Sequence, residues 1–291
     1  MSTQNSEGCR PNHDRIPFSV GAGEYKTAWN NVAESREHAF ELVDESTNEE
    51  QIDASGAHHA RYLVDGLDLN AKDIVLEVGC GVARLGKHVA PHVKEWWGLD
   101  VSERMAEIAR DRCAHLPNVH LLAGSGSDLS ALASQSFDKV YCHAVLIHMD
   151  KEDVYSYLVE VGRVLKPGGL FYFDVWNICH PVGWLRWQVE RKLYATRSHR
   201  PPHRNQFSSP DEVRAMLAHT NLEVVQLAES VYVQTVATVV PEGRDAATYV
   251  AARRDQMPDR LALLKYGDGD AAGFAAVLSS RLLEFGIQPE L

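Results

Sequence analysis

The chain has 291 residues, 45% of them hydrophobic, 24% charged and 8% aromatic, which suits a folded protein with a sizeable core and excludes disordered and fibrous classes. With 29 Lys and Arg against 40 Asp and Glu, the formal net charge of −11 works against the summed field of a general nucleic-acid or anionic-membrane binder.

Residues 1–24, rich in Ser, Asn, Gly and Pro and closing on Gly21-Ala22-Gly23, read as a flexible arm. They hold no apolar h-region, and no later window approaches the roughly 18 apolar residues of a membrane span, so a cytoplasmic protein is expected. Cys9, Cys80, Cys113, Cys142 and Cys179 are widely spread without a C-x-x-C pair, so neither a disulfide framework nor a metal centre is expected.

From Tyr25 to about Gly66, apolar residues at helical spacing (Trp29, Val32, Ala33, Phe40, Val43, then Ile52, Ala60, Leu63, Val64) predict two helices. Strand-like runs then alternate with amphipathic stretches: Ile74–Val78, Glu95–Leu99, Val119–Leu122, Val140–Cys142 and Leu170–Phe173 are interleaved with Leu85–Ala90, Met105–Ala109 and Val154–Leu165. Such alternation predicts βαβ units and a parallel sheet covered on both faces. Ser209-Pro210 opens a further helix through Ala218. The runs Leu222–Leu227 and Val231–Val240 are joined by three residues, too few for a parallel crossover, so they form an antiparallel pair. Beyond Pro241 the pattern is helical, with breaks at Pro258 and at Gly267-Asp268-Gly269.

The chemistry concentrates at Ile74-Val-Leu-Glu77-Val-Gly79-Cys-Gly81-Val-Ala83-Arg84. A buried strand ends near an acid, and two glycines spaced by one open a helix, where backbone can approach a ligand and free N–H groups point at it. In a dinucleotide fingerprint the third small residue would fall at Arg84, which is too large for the close helix–strand contact, and the small residue stands instead at Ala83. Asp100 ends the next strand, where its carboxylate can accept both hydroxyls of a ribose.

On these residues the sequence resembles the class I S-adenosylmethionine-dependent methyltransferases. The family pattern acidic-x-Gly-x-Gly-x-Gly is met by Glu77, Gly79 and Gly81, with Ala83 for the last glycine. Gly124-Ser125-Gly126-Ser127-Asp128-Leu129 resembles the family's adenine segment, Phe137-Asp138-Lys-Val140 with Val145-Leu146-Ile147-His148 its fourth strand and exit loop, and Arg163-Val-Leu-Lys166-Pro167-Gly168-Gly169 the turn before its fifth strand. The resemblance implies a Rossmann-like, doubly wound, mostly parallel seven-stranded sheet with an antiparallel last strand, an N-terminal helical lid (25–70), a core (71–241) with a substrate-recognition insertion (174–210), and a C-terminal helical extension (242–291). It implies S-adenosylmethionine as cofactor: Glu77, Gly79 and Gly81 at its methionine part, Asp100 on the ribose, Val101 against the adenine, and Ser125 and Gly126 along the adenine edge. At Ser125 the family usually carries an acid, so adenine recognition shifts toward the Gly126 N–H. Tyr25 and Trp29 are expected either to face the sulfonium or to pack the lid on the sheet.

Methyl transfer from a sulfonium requires alignment, exclusion of water and, for hydroxyl acceptors, loss of a proton. His143, directly after the fourth strand, and His148, five residues on, are the candidate bases; each competes with a packing role. Trp176, Trp184 and Trp187 are candidate walls of an apolar acceptor pocket or core under a lid. Between Arg186 and Arg204 six cations oppose Glu190 alone, with His199 and His203 in the same tract, and Arg191 and Arg197 are candidates for steering an anionic acceptor. The expected activity is methyl transfer to an oxygen or nitrogen of a small-molecule acceptor, anionic or aromatic, with no nucleic-acid or membrane partner and with homo-oligomerisation open. Methylation of RNA or protein and cofactor binding without turnover are the rivals.

Overall fold

In the computed structural model, which describes residues 22–197, 200–201, 204–257 and 271–289, the alternating apolar runs pair into one mixed sheet. Its strands are β1 (Ile74–Val78), β2 (Glu95–Asp100), β3 (Val119–Ala123), β4 (Phe137–Cys142), β5 (Leu165–Asn177), β6 (Phe207–Ser208), β7 (Leu222–Glu229) and β8 (Tyr232–Val239). The order is β3-β2-β1-β4-β5-β8-β7, with the two-residue β6 paired to β5 as an addition to the expected seven strands. β1 to β5 run parallel, and β8 is antiparallel to both β5 and β7. The chain order reverses between β1 and β4, and the crevice at the carboxyl ends of those two strands is where an open α/β sheet takes its ligand.

Side-chain alternation along the strands feeds two cores. Leu76, Val140, Phe171 and Phe173 pack with Leu158 and Val161 on one face, while Val75, Trp96, Tyr141 and Tyr172 pack with Ala60, Leu63 and Val89 on the other. The helices are α1 (Ala22–Val32), α2 (Arg36–Asp44), α3 (Glu49–Gly66), α4 (Gly86–Val89), α5 (Glu103–Arg112), α6 (Lys151–Val164), α7 (Pro181–Leu193), α8 (Pro210–Ala218), α9 (Ala246–Gln256) and α10 (Ala271–Glu284), and α3, α4 and α6 supply the helical residues just named.

The segment read as two N-terminal helices forms three. Ser35 caps α2 by accepting from the His38 N–H, Glu45 ends it in the left-handed region at φ 55°, and Asn48 caps α3 by accepting from the Gln51 N–H. α1 begins at Ala22, inside the stretch read as the arm. The rest of that arm, His199, His203, Pro258 and the 267–269 break lie outside the described residues. No helix among the described residues is long and apolar enough to cross a membrane.

The close helix–strand contact that Arg84 cannot make is made two residues later. A Cβ on Gly86 would lie 1.9 Å from the Trp96 ring, which is fully buried and cannot retreat. Gly86→Ala should therefore destabilise the fold by roughly 1–3 kcal/mol, as overpacking does. Chemical denaturation measures this directly, and an undiminished midpoint would contradict so tight a contact.

Candidate active site

The turn after β1 is held in an open shape from beneath. Gly79 at φ +73° and Gly81 at φ +51° occupy the left-handed region, and a Cβ on Gly79 would meet Val145 at 2.4 Å. Ala83, at the third glycine position, adopts φ +56° and carries the backbone cost itself. Gly79 N–H donates to the Leu99 carbonyl at 2.7 Å, and Gly81 N–H to Asp100 Oδ2 at 2.7 Å. The Arg112 guanidinium, with no side-chain exposure, donates to the Val82 carbonyl at 2.5 Å, to Glu49 Oε1 at 2.7 Å and to Asp53 Oδ1 at 2.6 Å. The turn is thereby fastened to β2, α3 and α5 together.

Asp100 accepts one backbone N–H on each oxygen, from Gly81 and, at 2.8 Å, from Ser102. A carboxylate has about four acceptor positions, so both oxygens retain one for a ribose hydroxyl, and the residues present fit a nucleoside cofactor. Burial pushes its pKa up to about 6 against those two donors. Val101 follows, half-buried, and Ser102 Oγ donates to Asn30 Oδ1 at 2.8 Å, docking α1 beside the acid. Beyond β3, Ser125 Oγ accepts from the Ser127 and Asp128 N–H groups of its own turn, and Gly126 is buried at φ +85°. The serine oxygen is thus occupied locally, in keeping with a turn that offers backbone rather than charge.

Glu77 is buried and accepts the Tyr141 hydroxyl at 2.6 Å, which in turn accepts Trp96 Nε1–H at 2.9 Å. Burial pushes its pKa up to about 8 from the ordinary 4.5. Below pH 4.5 both folded and unfolded chains hold this proton; above it the unfolded chain releases it while the fold retains it until about 8, so stability falls as pH rises across that window. Asp100 acts in the same sense up to about 6. The melting temperature should therefore decline from pH 6 to 8, and Glu77→Gln should flatten that decline. Parallel wild-type and variant curves would contradict the assignment.

α1 is bonded to the loop beyond β4 and to α6. Tyr25 is buried, its hydroxyl donating to Asp153 Oδ2 at 3.1 Å and accepting the Asp150 N–H at 2.9 Å. Trp29 meets His148 edge-on at a centroid distance of 5.2 Å. Tyr25 is thus an anchor of α1 on α6, and Trp29 and His148 form a contact between α1 and the exit loop. On α3, a Cβ on Gly56 would strike the Arg84 carbonyl at 2.1 Å, so that helix lies directly against the glycine turn. Arg84 extends beneath it to His59 Nδ1 at 2.7 Å, Ser55 Oγ at 3.2 Å and Asp44 Oδ1 at 3.4 Å.

His143 follows β4 directly, its side chain 8% exposed, with Nδ1 in short contact with Asp174 Oδ2. Asp174, 3% exposed and inside β5, also accepts the Tyr172 hydroxyl at 3.0 Å and the Ala144 N–H at 2.8 Å. The His143 and His59 rings stand 6.5 Å apart, centroid to centroid. The glycine turn, Asp100, His143 and His59 are thus gathered at the switch point.

A family described as a methyltransferase domain matches residues 75–169. The likeness to methyltransferases is thus carried by this segment, about a third of the chain. A demethylmenaquinone methyltransferase from Staphylococcus haemolyticus is 34% identical over 117 residues, 38% of this chain and 46% of that enzyme. The methyltransferase GfsG of Streptomyces halstedii is 33% identical over 121 residues, 40% of this chain and 42% of its own length. The chain therefore spans less than half the length of these curated relatives. The geranyl diphosphate C-methyltransferase of Streptomyces coelicolor A3(2), crystallised with Mg2+, geranyl-S-thiolodiphosphate and S-adenosyl-L-homocysteine, superimposes with a TM-score of 0.55 at 14% identity, over 77% of this chain and 99% of that one, a likeness of fold.

The tryptophans after the matched segment sit in different surroundings. Trp176 is buried, donates from Nε1 to Asn205 Oδ1 at 3.2 Å and packs on Tyr232 at 4.4 Å. Trp184 and Trp187 stack on each other at 4.8 Å along α7, with Arg191 over Trp187 at 5.5 Å. The basic tract is partly neutralised: Arg186 pairs with Glu190 at 3.0 Å and Arg204 with Asp150 at 2.8 Å, an acid outside the tract. Arg191 and Arg197 are exposed, the latter over the Tyr194 ring at 5.4 Å.

Sequence reasoning singled out neither Asp174 nor His59. An acid inside the apolar run Leu170–Trp176 was the available signal for the first. The second carried none, because its neighbours Arg84 and His143 are brought to it only when α3 docks.

Proposed function

We propose that the chain transfers the methyl group of S-adenosylmethionine to an oxygen or nitrogen of a small-molecule acceptor. The observation that carries this reading is the glycine turn fastened to Asp100, with a histidine–carboxylate pair at the same switch point. When bound, the cofactor supplies an electrophilic methyl on a sulfonium, so the transfer asks the protein for alignment, dryness and proton removal. Gly79 and Gly81 let the backbone pass under the methionine part, Asp100 takes the ribose hydroxyls, and Val101, Ser125 and Gly126 flank the adenine. Glu77 supports the turn from below through Tyr141. His143 is the favoured base, since Asp174 orients it; His148, packed against Trp29, serves with Tyr25 and Trp29 to close the lid.

The helices of 25–70, the segment 174–210 and the helices beyond 242 enclose the acceptor in this reading. Trp176 contributes to the floor, while Trp184, Trp187, Arg191 and Arg197 lie on the outer approach to it. That the relatives include a demethylmenaquinone methyltransferase supports a small-molecule acceptor. Incubation with methyl-labelled S-adenosylmethionine and, separately, a metabolite extract, total RNA and total protein checks this. Label in the metabolite fraction is expected; label confined to RNA or protein would overturn the small-molecule reading.

A further inference from the structure

Folding sorts the charges of the basic tract that follows β5. Glu190, its only acid, turns inward with a side chain 8% exposed, paired with Arg186 at 3.0 Å and accepting from Asn205 Nδ2 at 2.7 Å. Arg204 is taken by Asp150. Arg191, Lys192, Arg197 and Arg200 remain on the exposed side, and among the described residues no acid pairs with any of them. The apolar groups of α7 are sorted in the same way. Val182, Leu185 and Val189 are buried, while Trp184, Trp187 and Arg191, spaced three and four apart, share the outward face, and Leu193 is exposed at the helix end. Trp187 is stacked by Trp184 from one turn before it and overlaid by Arg191 from one turn after it, so both faces of its ring are covered. The neighbouring α10 keeps Leu278 and Leu282 in the core it shares with α7 and leaves Val277 70% exposed.

We propose that the outer face of α7, with its exit as far as Arg200, docks on the surface of an anionic lipid bilayer, the indole edges entering the headgroup region and the four unpaired cations meeting lipid phosphates. Indoles flanked by Arg and Lys are the composition of a helix that lies in a membrane interface. The formal charge of −11 does not oppose this contact, because charges beyond about 10 Å are screened and the local cations govern. A row along one helix and its exit is a strip, which a planar partner meets along its whole length. Nucleic acid, the other abundant polyanion, would gain from aromatic rings by stacking its bases on them, and the covered faces of Trp187 leave no room for that. The inference is independent of the methyl-transfer reading, since adsorption needs no turnover. It replaces the expectation of no membrane partner, which the summed charge suggested before folding separated the acids from this face.

Co-sedimentation of the full chain with vesicles tests the face directly. Vesicles of phosphatidylcholine with phosphatidylglycerol should take up the chain ~100-fold more than phosphatidylcholine alone, since each cation near an anionic surface adds roughly fivefold. Raising the salt from about 0.1 M to about 1 M shortens the screening length from ~10 Å to ~3 Å and should release the chain. Joint Arg191→Glu and Arg197→Glu substitution should lose ~100-fold or more of the uptake. Joint Trp184→Ala and Trp187→Ala substitution, with every cation kept, should lose on the order of tenfold and abolish the shift of tryptophan emission to shorter wavelength on binding. The melting temperature of each variant checks that its fold is intact, and the charge reversal, confined to exposed side chains, keeps the test open if the tryptophan variant fails to fold. Equal uptake by the two kinds of vesicle, or either folded variant binding as wild type does, would overturn the proposal. So would a dimer in sedimentation velocity that the charge reversal dissolves, which would give the face to a second copy of the chain, or tighter binding to total RNA than to the anionic vesicles.

Discussion

Replacing Asp100 with alanine should cost about 100-fold or more in S-adenosylmethionine affinity, because the two charge-assisted hydrogen bonds that the proposed site would make to ribose hydroxyls, each worth about 1.5–3 kcal/mol, disappear together. The loss is compounded by structure. The same carboxylate holds the Gly81 and Ser102 N–H groups, so its removal also releases the turn that the methionine part would cross. Asp100→Asn keeps one acceptor oxygen and should fall between wild type and alanine. Equilibrium dialysis with labelled cofactor measures all three, and an alanine variant that binds as tightly as wild type would remove Asp100 from the site.

Arg112→Ala should be the most destabilising single change, at roughly 3–5 kcal/mol and a fall in melting temperature on the order of 10 °C. The guanidinium has no exposed side-chain area and satisfies three acceptors on two elements: Glu49 and Asp53 of α3 and the Val82 carbonyl of the glycine turn. Its ring-facing side also covers Phe40 at 5.3 Å, so the truncation leaves a void as well as an orphaned carbonyl. Arg112→Lys should restore little, since an ammonium cannot reach three directions as the planar fork does. Cofactor affinity should fall with stability, because the Val82 carbonyl belongs to the glycine turn. Calorimetric melting decides this, and a change under about 1 kcal/mol would mean that the neighbouring Lys87 and Arg36 carry the acids unaided.

The parts of this site that are legible in sequence are those whose chemistry is local. Glu77, Gly79, Gly81 and Asp100 lie on two consecutive strand ends, and a βαβ unit fixes their relation without further knowledge of the fold. The antiparallel β7–β8 pair was legible for the same reason, a link too short for any other path. What was hidden depends on docking between distant segments. His59 stands on a helix that reads only as an amphipathic surface until Gly56 brings it onto the Arg84 carbonyl. The Arg112 fork joins α3, α5 and the turn, and no spacing rule links those residues. Trp176, Trp184 and Trp187 read as one aromatic group because they are near in sequence, yet Trp176 belongs to a strand and the other two to the outer face of a helix, and strand-to-helix connections turn side chains apart.

The central claim is that the β1 turn and Asp100 bind a methyl-donor nucleoside and not a dinucleotide. Calorimetric titration of the wild-type chain with S-adenosyl-L-homocysteine and then with NADH tests it most directly. Saturable one-to-one binding of the first with no heat from the second is the predicted result; binding of NADH in preference to S-adenosyl-L-homocysteine would contradict it.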